Sequence, residues 1–209
     1  MNRIKYPRTR HLPFSLGRGS DDKVIATLEH LNGREVIMPE KMDGENSTLY
    51  TKHYHARSLD SKHHESRDWL KKFHGEISYK IPENLRICGE NLYAQHSIAY
   101  DDLLSYFYGF SVWDERNVSL SVAETDMWFE ELGIVQPQIF YRGTFDIKVA
   151  IDLANSLDTE KHEGFVVRVV DEIPYDDFDK LVAKWVRPAH VQTDEHWMHK
   201  TVVPNKLRG

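Results

Sequence analysis

Six short runs rich in Val, Ile, Phe, Tyr and Trp punctuate this chain: REVIMPE, STLYT, LRICGE, YFYGFSVWD, GFVVRVV and KLVAKWV, each bounded by turn-forming residues. Runs of this length suit pleated, half-buried strands, and strands must be paired and then covered. Helical segments between them supply the cover. A Ser-x-x-Glu capping box opens at Ser121 and closes on Glu124, and Gly133 supplies the stop. After Thr144, the fourfold spacing of Phe145, Val149, Leu153 and Leu157 predicts a helix that turns those four residues into the core. A third helix is expected to start near Ser66. No fixed-period repeat or low-complexity linker interrupts the pattern, so the reading is one mixed α and β domain.

Composition narrows the class of function. A hydrophobic content of 40% over 209 residues can bury a substantial core. No apolar run approaches the roughly 18 residues of a membrane span, and MNRIKYPRTR lacks the apolar centre of a signal peptide. The single cysteine, Cys88, cannot form an internal disulfide, and no cysteine cluster offers a zinc site. A soluble, cytoplasmic, monomeric protein is expected. The net charge of -6 argues against coating nucleic acid by bulk electrostatics. Basic residues crowd both ends instead, with Arg3, Lys5, Arg8 and Arg10 in one group and Lys180, Lys184, Arg187, Lys200, Lys206 and Arg208 in the other. Either group suits a solvated face or a phosphate contact.

The stretch PEKMDGEN, residues 39–46, places Lys41 where an apolar run gives way to a turn. A surface lysine there needs no explanation beyond an Asp-Gly turn. A nucleophilic lysine needs a lowered pKa, because at its ordinary value only about one molecule in several thousand is neutral at pH 7. Burial, neighbouring cations, or a nucleotide triphosphate with its divalent metal would provide the lowering. Replacing a turn lysine is expected to leave no buried group unpaired.

EKMDGEN is followed in order by HARSLD, CGENLYA, YFYGFSVWD, HEGFVVR and LVAKWVR, each on or beside an expected strand. This series resembles motifs I, Ia, III, IIIa, IV and V of the covalent nucleotidyltransferases, the superfamily of polynucleotide ligases and RNA capping enzymes. Glu40, Lys41, Gly44 and Asn46 resemble the Glu-Lys-x-x-Gly-x-Asn form of RNA ligases of the second phage type. The resemblance implies an α+β fold of antiparallel sheets flanked by helices, and an ATP-dependent RNA ligase that uses magnesium. Lys41 would attack the α-phosphate of ATP and carry AMP as a phosphoramidate. The AMP would then pass to an RNA 5′-phosphate, which a 3′-hydroxyl attacks.

Further roles follow from the resemblance residue by residue. Glu40 would accept a hydrogen bond from the adenine amine, Phe110 would stack on the purine, Arg57 would reach the ribose or the nucleic-acid phosphate, and Glu90 would accept a hydrogen bond from a ribose hydroxyl. Glu163 would hold the metal, Lys184 would contact the α-phosphate beside Lys41, and Asn46 would face the RNA ends. Two positions depart from the family pattern. Ser111 replaces an acidic residue, and two residues separate Lys184 from Arg187 where a gap of one is usual. Read without the resemblance, Tyr106, Tyr108, Phe110 and Val112 form one core face by period-two alternation, and Asn46 closes an Asx-type turn.

Outside the series, Gly17 and Gly19 in SLGRGSDDK suit a plain surface loop, with Arg18 open to a substrate contact. His190, His196 and His199 lie in a tail that Trp197 would pack, a better reading than a zinc site. Residues 1–188 are taken as the adenylation domain and 189–209 as a short extension packed on it, too short for an OB-fold. An adenylyltransferase acting on a protein or small molecule, a capping-type guanylyltransferase and a non-enzymatic nucleic-acid-binding domain are the competing readings.

Overall fold

The computed structural model describes residues 1–60, 62–188 and 201–209. In chain order its elements begin β1 (Arg10–His11), β2 (Glu35–Pro39), β3 (Glu45–Leu49), β4 (Tyr54–Ala56), α1 (Asp68–Ile77), β5 (Arg86–Asn91), β6 (Phe107–Trp113) and β7 (Val118–Ser119). They continue with α2 (Val122–Leu132), β8 (Ile139–Thr144), α3 (Ile147–Ser156), β9 (Gly164–Val169), β10 (Ile173–Pro174), α4 (Phe178–Leu181) and β11 (Val182–Val186). The strands form a five-stranded sheet, β1-β11-β9-β2-β8, and a six-stranded sheet, β10-β7-β6-β5-β3-β4. Every pairing is antiparallel except β1 with β11. The α+β architecture is the expected one.

Three clusters hold these layers together. Val36, Met38, Phe165, Val167 and Trp185 of the first sheet share one with Cys88 and Trp113 of the second, so the sheets meet face to face there. On the other face of the second sheet, Leu49, Ile87, Phe107 and Val112 pack on Leu70 and Ile77 of α1 and on Phe129 and Leu132 of α2. A small third cluster joins Met42, Leu92, Leu103 and Tyr108.

Helix α2 carries the expected signals: Ser121 Oγ accepts from Glu124 N at 3.3 Å, Glu124 Oε2 accepts from Ser121 N at 3.2 Å, and Gly133 sits in the left-handed region at φ 65°. A one-turn 3₁₀ segment at Glu65–Arg67 leads into α1, close to the expected start. Helix α3 departs from its expected face. Asp146 caps it by accepting from Lys148 N at 2.8 Å, which leaves Phe145 buried before the helix rather than in it. Ala150 takes the central core position, while Val149, Leu153 and Leu157 are only half-buried.

The alternation expected in β6 also breaks. Cys88 pairs with Ser111 and Gly89 with Gly109, so Phe110 is the extra residue of a β-bulge. The bulge turns Phe110 toward the cluster between the sheets and sends Val112 to the helix-covered face. Strand β8 carries no buried residue, which explains why its sequence, IFYRGT, shows no core-facing pattern: it forms an edge.

Candidate active site

At the end of β2 the chain is pinned from both sides. Glu40 N donates to Gln138 O at 2.7 Å and Lys41 N donates to Gly164 O at 2.9 Å, which sets Lys41 beside the start of β9. Glu163, the residue before that strand, is fully buried, and its Oε2 accepts a hydrogen bond from Lys41 Nζ. The glycine next to it is required by packing, since a Cβ on Gly164 would lie 2.0 Å from the carbonyl oxygen of Trp185. The turn after Lys41 is wedged as well: Met42 is buried, and a Cβ on Gly44 would lie 2.5 Å from the carbonyl oxygen of Asn91. Asp43, 4% exposed, accepts from Ser97 N, Ser97 Oγ and Ile98 N, all at 2.7 Å.

Charge is concentrated around this turn. Burial alone would lower the pKa of Lys41, but the Glu163 and Glu90 carboxylates outweigh it and hold the ammonium above its ordinary value. Two sequence-based expectations are corrected by this contact. The lysine is not held neutral by its surroundings, and its removal would strip a buried carboxylate of its cation. Glu90 is pushed up to about 8, first by burial and then by the neighbouring Glu163 and Asp43, against the pull of Lys41. Lys184, on β11, is pulled down to about 8 by burial and by Lys41. His11, beside it across the parallel β1 pairing, is fully buried and lowered to about 4 by burial and by Lys184. Lys41, Glu163, Glu90 and Lys184 therefore act on one another electrostatically.

The other expected residues occupy varied surroundings. Asn46 lies within β3 opposite Glu90, not in an Asx turn, and its Oδ1 is buried with no hydrogen-bond partner among the described residues. Phe110 meets the ring of Tyr6 edge-on at 5.2 Å. Arg57 is exposed just past β4. The carboxylate of Glu40 is already engaged, with Oε1 2.7 Å from His162 Nδ1, and burial leaves its pKa raised. The guanidinium of Arg187 donates to the carbonyls of Thr159 at 2.8 Å and Ser97 at 3.3 Å. Gly17 is a packing glycine, because a Cβ there would lie 2.2 Å from Arg187 O. His190, His196, Trp197 and His199 lie outside the described residues.

Sequence reasoning missed His162, Asp43 and Tyr6. His162 directly precedes Glu163, and Asp43 stands inside the lysine turn, so both lay in view without a local signal of their partners. Among the described residues no group of three or more His, Cys, Asp or Glu forms a ready-made metal cage. The fully buried Glu163 carboxylate is the kind of oxygen donor that a hard cation prefers.

Known proteins share this architecture. The archaeal ATP-dependent RNA ligase (form 2) superposes with a TM-score of 0.60 at 16% identity, over 87% of this chain and 48% of that one. A Naegleria gruberi RNA ligase mutant with ATP and Mn gives 0.53 at 14% identity, over 86% and 59%. A putative ATP-dependent DNA ligase from Aquifex aeolicus gives 0.54 at 19% identity, over 87% and 49%. The chain thus spans about half the length of the structures it resembles. No curated protein sequence matches it. The family model for RNA ligase matches residues 34–186, from the start of β2 to the end of β11, and the chain belongs to the RNA ligase family.

Proposed function

We propose that this chain is the adenylylating unit of an ATP-dependent RNA ligase, with residues 1–188 as the catalytic domain and 189–209 as a short extension. The observation that carries the reading is the contact of Lys41 Nζ with the buried Glu163 carboxylate, beside Lys184 and Glu90. Lys41 is the nucleophile: its ammonium first releases a proton, the amine nitrogen bonds to the α-phosphorus of ATP as the bond to the bridging oxygen breaks, pyrophosphate leaves, and the nitrogen gives up a second proton to become the phosphoramidate. The Lys41–Glu163 pair is the resting form. Any turn of Glu163 away from Lys41 removes the strongest of the interactions that keep the ammonium protonated and leaves only Glu90 and Asp43 to oppose burial. Lys184 steadies the α-phosphate. Glu90, largely neutral at pH 7, offers a ribose hydroxyl both a donor and an acceptor. Phe110 stacks on adenine, Glu40 accepts from the adenine amine, and Arg57 reaches the ribose or a phosphate. Arg187 would have to leave two carbonyls to join a phosphate. Magnesium held by Glu163 would neutralise phosphate charge.

The second and third steps transfer AMP to an RNA 5′-phosphate and join it to a 3′-hydroxyl. Asn46, with a buried acceptor that nothing occupies among the described residues, faces those ends. The single, buried Cys88 thiol suits a reducing, cytoplasmic setting, and the chain is read as acting as a monomer. The test is incubation with radiolabelled ATP and magnesium, then addition of 5′-phosphorylated RNA. An acid-labile protein label that moves into RNA is the expected result. No label would refute an adenylylating enzyme, and a label that RNA never consumes would indicate transfer to a protein or small molecule instead.

A further inference from the structure

Residues 201–209 lie along the segment between β5 and β6, and Asn205 is their anchor, only 3% exposed. Its side-chain amide donates to Leu92 O at 2.8 Å and Ala94 O at 3.4 Å, and its Oδ1 accepts from Tyr100 N at 2.9 Å. Its backbone donates to Tyr93 O at 2.9 Å and accepts from Tyr106 Oη at 2.9 Å. Around it, Gln95 N donates to Val203 O at 2.8 Å, Lys206 N to Tyr100 O at 2.9 Å, and Arg208 N to Leu103 O at 2.8 Å. The 92–106 segment has no strand ladder of its own beyond isolated bridges, so these bonds, with Leu92 and Leu103 packed on Met42 and Tyr108, decide where it sits.

The opposite side of that segment holds the lysine turn. Ser97 and Ile98 supply the three donors on Asp43 Oδ2, and Asp43 N donates to Tyr100 Oη at 2.9 Å. Tyr100 therefore connects Asn205 to Asp43 directly, through its backbone N–H on one side and its hydroxyl on the other. Asp43 is two residues from Lys41 in a turn with no slack, given the tight approach at Gly44.

We propose that Asn205 is a positioning residue for Lys41: residues 201–209 clip the 92–106 segment, which grips Asp43 and aims the lysine. The proposal rests on Lys41 being the nucleophile. Misplacing a reacting group by about 1 Å can cost on the order of a hundredfold in rate, so a clip at this distance should register in the chemical step.

The test is single-turnover formation of the labelled protein by the full chain at saturating ATP with magnesium, for Asn205→Ala and for the milder Tyr100→Phe. Three quantities are read: the rate constant, the final labelled fraction and the ATP concentration at half-saturation. Asn205→Ala should lower the rate constant by about tenfold or more, and Tyr100→Phe by roughly threefold. The labelled fraction and half-saturation should stay within about twofold of the parent. A rate constant unchanged in either variant overturns the clip, as does a loss confined to the labelled fraction, because that reports only less folded protein. If the parent labels at Lys41 and the variants match it, the clip alone fails. If the parent does not label, the ligase reading fails and takes the clip with it.

Discussion

On the face of the six-stranded sheet that meets α1 and α2, Leu49, Ile87, Phe107 and Val112 pack against Leu70, Ile77, Phe129 and Leu132, and none of them carries charge. On the face that meets the five-stranded sheet, Cys88 and Trp113 give way along the same strands to Glu90 and Asn46, opposite Lys41, Glu163 and Lys184. One sheet thus divides its duties by face. Alternation along β3 and β5 is what permits this: each strand sends one residue to the oil and the next to the chemistry. The helix-covered face contributes stability through area removed from water. The inner face spends stability, since buried charges are tolerated only while they are paired.

Breaking the inner face should have the largest functional effect. Lys41→Ala should abolish labelling from ATP, read by autoradiography, and Lys41→Arg should not restore it because a guanidinium stays protonated. The alanine variant should also lose about 1–3 kcal/mol of stability, because Glu163 loses its cation. Breaking the outer face should do the reverse. Phe129→Ala, at a side chain 1% exposed, should cost about 3–5 kcal/mol in denaturant melts and leave the labelling rate of the folded fraction unchanged.

Two pH experiments sharpen the contrast with smaller effects. Glu90 has its native pKa raised from 4.5 to about 8, so its neutral form is favoured by folding. The stability it contributes is present below its unfolded pKa and is lost as pH rises through about 8. Glu90→Gln should remove that decline, gaining on the order of 2 kcal/mol over the parent between about pH 5 and about pH 8.5 in urea titrations. Burial and Lys41 bring the pKa of Lys184 down to about 8, and if it holds a phosphate, as proposed, it must be cationic to do so. The half-saturating ATP concentration should therefore rise severalfold above that pH in the parent, and Lys184→Arg should flatten the profile.

Much of the fold was legible because the long strands carry apolar runs and α2 carries both of its end signals. Strand β8 was not, since an edge strand without buried residues obeys no core pattern. Neither was the bulge at Phe110, which inserts one residue where alternation assumes none. The lysine itself was found only through the order of six segments, because no local rule distinguishes it from an Asp-Gly turn. Its partner was beyond reach of any local rule. Lys41 and Glu163 are 122 residues apart in sequence, as are Glu40 and His162, and only the pairing of β2 with β9 brings each couple together.

Everything proposed for this site turns on Lys41 being the residue that carries AMP. Peptide mapping by mass spectrometry, after incubation of the full chain with ATP and magnesium, tests it most directly. One AMP adduct is expected, on the peptide containing Lys41 and lost on acid treatment. An adduct on Lys184 or on any other residue, or an unmodified Lys41 peptide under conditions where the protein consumes ATP, would contradict it.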